Sequence, residues 1–105
     1  MNIVYNNIIP FRGFAAINLF GILFVRKNVI LTDRIINHES IHTAQMKELL
    51  YVFFYIIYVI EWLFKLFKFG LNSYCNISFE REAYQNEDNL EYLKSRRRLG
   101  FVKYL

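Results

Sequence analysis

The chain has 105 residues, of which 55% are hydrophobic and 19% aromatic, and a formal net charge of +4. That length limits it to one domain, taken as residues 1–105. The surplus of Phe, Tyr, Ile and Leu excludes a disordered chain and asks for an unusually aromatic core or an apolar surface facing a membrane or a partner. The single cysteine, Cys75, cannot form an intramolecular disulfide. It is expected to be a small buried hydrophobe.

The N-terminus lacks a basic segment followed by a long apolar run, so no cleaved signal is expected. That reading gives a cytoplasmic or membrane-associated protein. Residues 2–9 read as a weak strand or extended arm, and Pro10 and Gly13 punctuate the chain after it. Residues 14–25 are apolar, interrupted by Asn18 and Gly21. Two β-rich runs flank Arg26-Lys27-Asn28, which predicts a hairpin turning there and a small antiparallel sheet within residues 14–31.

Thr32 and Asp33 supply a helix start, a capping hydroxyl followed by an acid in the first turn. The predicted helix runs to Lys47 or Glu48. A second helical stretch covers residues 49–69 and stops at Gly70, either continuous with the first or separated from it by a bend. Residues 49–60 carry no charge. A spanning helix needs roughly 18 or more such residues, so a buried or interfacial helix is expected. Tyr51, Tyr55, Tyr58 and Trp62 fall on one stripe, which predicts core packing. Glu61 and Lys65 form a favourable i,i+4 pair. After a loop, Ser78 is the expected N-cap of a third helix reaching Arg98. Arg96, Arg97 and Arg98 then form a solvated basic turn that complements the helix dipole. The fold class expected is α+β, mainly helical, with a small antiparallel β-hairpin ahead of three helices.

The only two histidines of the chain stand in His38-Glu39-Ser40-Ile41-His42. On a helix, positions i and i+4 share a face, so both imidazoles can hold one zinc ion. Glu39, one residue on, does not join them as a ligand but can reach a water on the metal and act as general base. A catalytic zinc site takes three protein ligands and keeps one position open. With no third histidine, the third ligand is a carboxylate among Glu61, Glu80, Glu82, Glu87, Asp88 and Glu91. Glu61 pairs with Lys65. Glu80 opens a new helix after a loop, where the chain can fold back on the motif. Gln45, three residues beyond His42, is expected to be a solvated amide.

His38-Glu39-x-x-His42 followed by Glu80-x-x-Ala83 resembles the gluzincin metallopeptidases. The likeness is greatest to the membrane-associated branch of CAAX prenyl proteases, heat-shock membrane proteases and antirepressor-type sensor peptidases. The resemblance covers roughly residues 33–87. It implies His38, His42 and Glu80 as ligands of one Zn2+ ion, Glu39 as general base, and Ala83 as the small residue letting two helices approach. It also implies an edge strand, within residues 20–26, that holds an extended substrate. The chain departs from the family at Tyr84, where relatives keep an Asp that orients a ligand histidine. Glu82 or Glu87 is the candidate replacement, and Tyr84 or Tyr74 can donate to an oxyanion.

These readings predict a minimal zinc-dependent peptidase acting on a peptide or protein. The alternatives are a zinc module without catalysis, and a helical protein that meets a membrane surface or protein partner through residues 49–69. Nucleic-acid binding is not expected, because the basic run is short and not interleaved with aromatic residues.

Overall fold

The computed structural model describes residues 1–9 and 15–105. Pro10 and Gly13 lie outside them. The fold is α+β and mainly helical. Its elements in order are β1 (Asn2–Asn6), β2 (Ala16–Leu19), β3 (Ile22–Arg26), α1 (Asp33–Glu48), α2 (Val52–Phe69), α3 (Ser78–Asn86) and α4 (Tyr92–Ser95). Short 3₁₀ turns at Gly70–Asn72 and Tyr74–Asn76 join α2 to α3, and a third, Gly100–Tyr104, ends the chain.

The sheet is mixed, in the order β1-β3-β2. β1 runs parallel to β3, with Val4 opposite Phe24, and β2 runs antiparallel to it, with Ile17 opposite Phe24. β3 is therefore the central strand, and the expectation of an edge strand within residues 20–26 is corrected: the edges are β1 and β2. The hairpin also turns earlier than expected, at Phe20-Gly21 rather than Arg26-Lys27-Asn28. Both turn residues have positive φ, 53° and 87°, as a two-residue hairpin loop requires. Gly21 adopts this freely, whereas Phe20 needs support. Tyr55 gives it, with its ring 5.1 Å from the Phe20 ring and its hydroxyl accepting the Phe20 amide at 3.0 Å.

Helix α1 begins where the sequence indicated. Thr32 Oγ1 accepts the Ile35 amide at 3.2 Å, and Asp33 stands in the first turn. Helix α2 starts at Val52, three residues later than predicted, because Leu50 and Tyr51 both take positive φ and bend the chain by 110°. No Gly or Pro signals this break. The amide of Tyr51 bonds the Met46 carbonyl at 2.7 Å, and the turn lays α2 across α1.

The core gathers Met46, Phe54, Ile77, Phe79 and Phe101. The Phe79 ring lies 4.5 Å from both Phe54 and Phe101. Tyr51, Tyr55 and Tyr58 pack against this cluster, as the stripe predicted, but Trp62 is 38% exposed. The other face of α2, including Phe53, Ile56, Val59, Ile60, Leu63 and Phe67, is exposed. The aromatic surplus thus divides between core and surface. Among the described residues no single helix is long and apolar enough to cross a membrane.

The third helix is shorter than predicted. It ends at Asn86, and α4 follows as a separate turn. Ile77, not Ser78, occupies the cap position. The Ser78 hydroxyl and amide instead bond Glu61 at 2.6 Å each, while Lys65 pairs with Glu61 at 2.9 Å. Cys75 is exposed rather than buried. Of the basic run only Arg97 and Arg98 are exposed. The Arg96 guanidinium is sunk between Glu82 and Glu48, at 2.6 and 2.8 Å. Gly100 makes room for this pair, since a Cβ there would meet Glu82 Oε2 at 2.7 Å.

Candidate metal centre

Helix α1 presents His38 and His42 one turn apart on its buried face. Helix α3 packs against that face and brings Glu80 from its first turn. His38 Nε2 and His42 Nε2 are 3.2 Å apart; Glu80 Oε1 is 3.0 Å from His42 Nε2 and 3.3 Å from His38 Nε2. All three side chains are buried. Zinc bonds of about 2.0–2.1 Å in tetrahedral geometry separate ligand atoms by about 3.3 Å, so the triangle has the size of such a site. Two imidazole nitrogens and one carboxylate oxygen do not suit Ca2+ or Mg2+, which take oxygen ligands. The residues present fit a transition-metal ion. This group can hold one metal ion, and it is the only such group among the described residues.

The outer nitrogens fix both rings. His38 Nδ1–H donates to Glu87 Oε2 and His42 Nδ1–H to Gln45 Oε1, each at 2.8 Å. Nδ1 is thereby the donor on both rings, and both Nε2 atoms turn toward Glu80, where a proton or an ion can join them. Each tether is itself anchored. Glu87 Oε1 pairs with Arg34 at 2.8 Å, and Asn37 Nδ2 donates to the Glu87 carbonyl at 2.8 Å. Gln45 Nε2 donates to the Phe79 carbonyl at 3.1 Å and to Glu82 Oε1 at 2.9 Å. Gln45 is fully buried, which corrects its reading as a solvated amide. Of the two candidate replacements for the acid after Ala83, Glu87 bonds His38, and Glu82 serves Gln45 and Arg96 instead.

The electrostatics are those of a site built for positive charge. Burial alone would raise the Glu80 carboxyl, but the two histidines and the Tyr58 hydroxyl, which donates to Oε2 at 2.8 Å, hold it well below the usual carboxylate range. Burial opposes a charged His42, yet Glu80 and then Glu39 outweigh it and push His42 up to about 9. Burial raises the Glu39 carboxyl above its ordinary value, against the lowering pull of the two histidines.

Glu39 lies beside His42 and Glu80 on a cavity of about 460 Å³ between β2, α1 and α2. Asn18 sets the spacing of that cavity's walls. Its Nδ2 donates to the Glu39 carbonyl and to Thr43 Oγ1, both at 3.0 Å, and so ties the edge strand to the motif helix. Tyr74 also lines the cavity. Tyr84 does not; its ring stands edge-on to His38 at 4.7 Å and is 44% exposed. Ala83 is fully buried.

Sequence reasoning did not find Asn18, Asn37 or Tyr58, and it read Gln45 as a solvated amide. The signal for Asn37 and Gln45 was present: both are polar residues within one turn of a histidine on the face that α1 buries. Asn18 and Tyr58 had none, because their partners come from other elements. The arrangement defines a buried two-histidine, one-carboxylate centre beside the Glu39 carboxylate and a cavity. Comparison of the chain with protein families, curated proteins and solved structures gave no match.

Proposed function

We propose that this chain is a minimal zinc-dependent peptidase of the gluzincin type. The observation that carries the reading is the convergence of His38 Nε2, His42 Nε2 and Glu80 Oε1 within 4.8 Å of one another, with Glu39 beside them on the cavity. A zinc ion held by these three atoms supplies Lewis acidity, which brings a water's pKa toward neutrality and polarises a carbonyl.

The rest is done by the chain's own groups. The Glu39 carboxylate takes a proton from water as the water oxygen bonds to the peptide carbonyl carbon. The same proton then passes from Glu39 to the amine nitrogen as the C–N bond breaks. Burial raises the Glu39 carboxyl above its ordinary value, which makes it a stronger base toward this proton. In this reading Tyr74 donates to the carbonyl oxygen as charge develops there. Tyr84 packs against the His38 ring and keeps its plane. Tyr58, committed to Glu80, holds the third ligand. The substrate lies extended along the open edge of β2, the strand nearest Glu39, and pairs with it through main-chain hydrogen bonds.

The test is elemental analysis of the purified chain beside His38→Ala and Glu80→Ala, with peptidase assays of Glu39→Gln. One zinc per chain is expected, lost in the first two variants. Glu39→Gln should keep its zinc and lose turnover by about 10²–10⁴-fold. Equal metal in all variants would refute the centre. Bound zinc with no turnover in the wild type would leave the metal as a staple between α1 and α3.

A further inference from the structure

The cavity beside Glu39 is larger and drier than hydrolysis alone requires. At about 460 Å³ it falls in the range of small-molecule pockets, about 300–1,000 Å³. A water and a peptide carbonyl would use a small part of it. The remaining wall is formed by Ile17 and Leu19 of β2, Met46 of α1, and Phe54, Tyr55 and Tyr58 of α2.

The polar atoms on this wall are already engaged with one another. The Tyr58 hydroxyl donates to Glu80 Oε2 at 2.8 Å. The Tyr55 hydroxyl accepts the Phe20 amide at 3.0 Å and faces the Asn18 carbonyl at 3.4 Å. Asn18 spends its amide nitrogen on α1 and its amide oxygen on Gly21, at 3.1 Å. A charged or amide side chain entering here would shed its water and find no new partner on this wall, because the remaining polar groups, Glu39 and Tyr74, lie at the reacting end of the cavity; that is costly. An apolar side chain loses nothing and gains in proportion to the surface it buries. Size narrows the choice further. An alanine or valine would leave most of the wall without contact. An aromatic ring would meet other rings and the Met46 sulfur, contacts that add to burial.

Resting on the peptidase reading, we infer that this cavity is a specificity pocket for one bulky apolar side chain, aromatic or long aliphatic, of an extended peptide whose reacting carbonyl lies at Glu39. The substrate class is therefore peptides with such a residue beside the bond that breaks. The pocket does not admit acidic, basic or amide side chains.

The chain has two methionines, which makes the test direct. Met46 is 2% exposed on the cavity wall, and Met1 is 47% exposed at the terminus. With carbon-13 on the methionine methyls, the full chain is titrated with N-acetyl amides of Phe, Leu, Ala, Glu and Lys, with and without zinc. The Met46 signal should move saturably with Phe and Leu and not with Ala, Glu or Lys, while Met1 stays put. Ala16→Trp, which fills the cavity from β2, should abolish the shift, and Ala16→Leu should weaken it. An unmoved Met46, or equal shifts with all five amides, would overturn the pocket. So would a stronger response to decanoate than to any amide, which would make the occupant an acyl chain.

A second measurement separates this inference from the reading beneath it. The zinc-loaded chain is given an unfolded protein, and the cut sites are mapped by mass spectrometry. Cuts beside bulky apolar residues should be about tenfold or more faster than beside Ala. Cuts spread evenly over residue types would sink the pocket and leave the peptidase. Absence of cutting with an intact Phe-selective shift would sink the peptidase and leave a side-chain pocket.

Discussion

Two buried carboxylates stand two residues apart on α3 and have opposite fates. Glu82 is fully buried and receives the Arg96 guanidinium on both oxygens, at 2.6 and 3.0 Å, with Tyr92 and Gln45 completing its shell. Glu80 is 4% exposed and, among the described residues, receives no guanidinium or ammonium; it faces two imidazole nitrogens and Tyr58. Both carboxyls are held below their ordinary range, Glu82 despite its burial because Arg96, Gln45 and Tyr92 donate to it. The difference lies in where the positive charge comes from. Arg96 carries its charge permanently, so the Glu82 cluster is complete and acts as a strut from α3 to the C-terminal segment. Imidazoles carry charge only with a bound proton or ion, so the Glu80 cluster is complete only when something joins it. Gln45 touches both clusters, and it passes the rigidity of the strut to the His42 ring.

The largest effect expected from this contrast is on stability. Arg96→Leu leaves Glu82 buried and unpaired and should cost about 3–5 kcal/mol in urea unfolding. Glu80→Gln in the metal-free chain should cost under about 1.5 kcal/mol, since an amide oxygen still accepts from the imidazoles. Equal costs would erase the distinction between strut and site. Next, zinc at a hundredfold excess over its dissociation constant should stabilise the wild type by about 2.7 kcal/mol. Thermal unfolding of Glu80→Gln should respond far less. A smaller change is expected at the outer shell, where Glu87→Gln should weaken zinc binding by about 10–100-fold in competition with a chromophoric chelator. An unchanged affinity would mean that Glu87 does not orient His38. The smallest belongs to Arg34, whose side chain is 60% exposed where it pairs with Glu87. Arg34→Ala should cost less than about 1 kcal/mol in the same unfolding assay, because water screens the pair.

Helix α1 and its motif were legible because their signals are local. The Thr32 cap, the acid at Asp33 and the i,i+4 histidines all lie within the helix they define. Glu80 was legible by its place near the start of a helix that can fold back, together with its spacing from Ala83. The anchors of the tethers were not legible, because each depends on a partner far along the chain. Gln45 meets Glu82 across 37 positions and Asn18 meets Glu39 across 21, and no local pattern marks either pair. Arg96 looked like its neighbours Arg97 and Arg98, since a run of like charges does not reveal which member finds a buried acid. The hairpin was misplaced for a related reason. Phe20 is a poor turn residue by itself and tolerates its backbone only because Tyr55 holds it.

The sequence by itself determined the class of fold, the capped helix, and two imidazoles on one face with a carboxylate one residue on. Those follow from helical periodicity and capping chemistry, which act over a few residues. Tertiary structure alone decided which residues anchor the triangle, which acid receives an arginine, and which faces of the aromatic helix stay exposed. Those outcomes depend on how α1, α2 and α3 cross. That crossing is set by the bend at Leu50 and Tyr51, where packing overrides local preference.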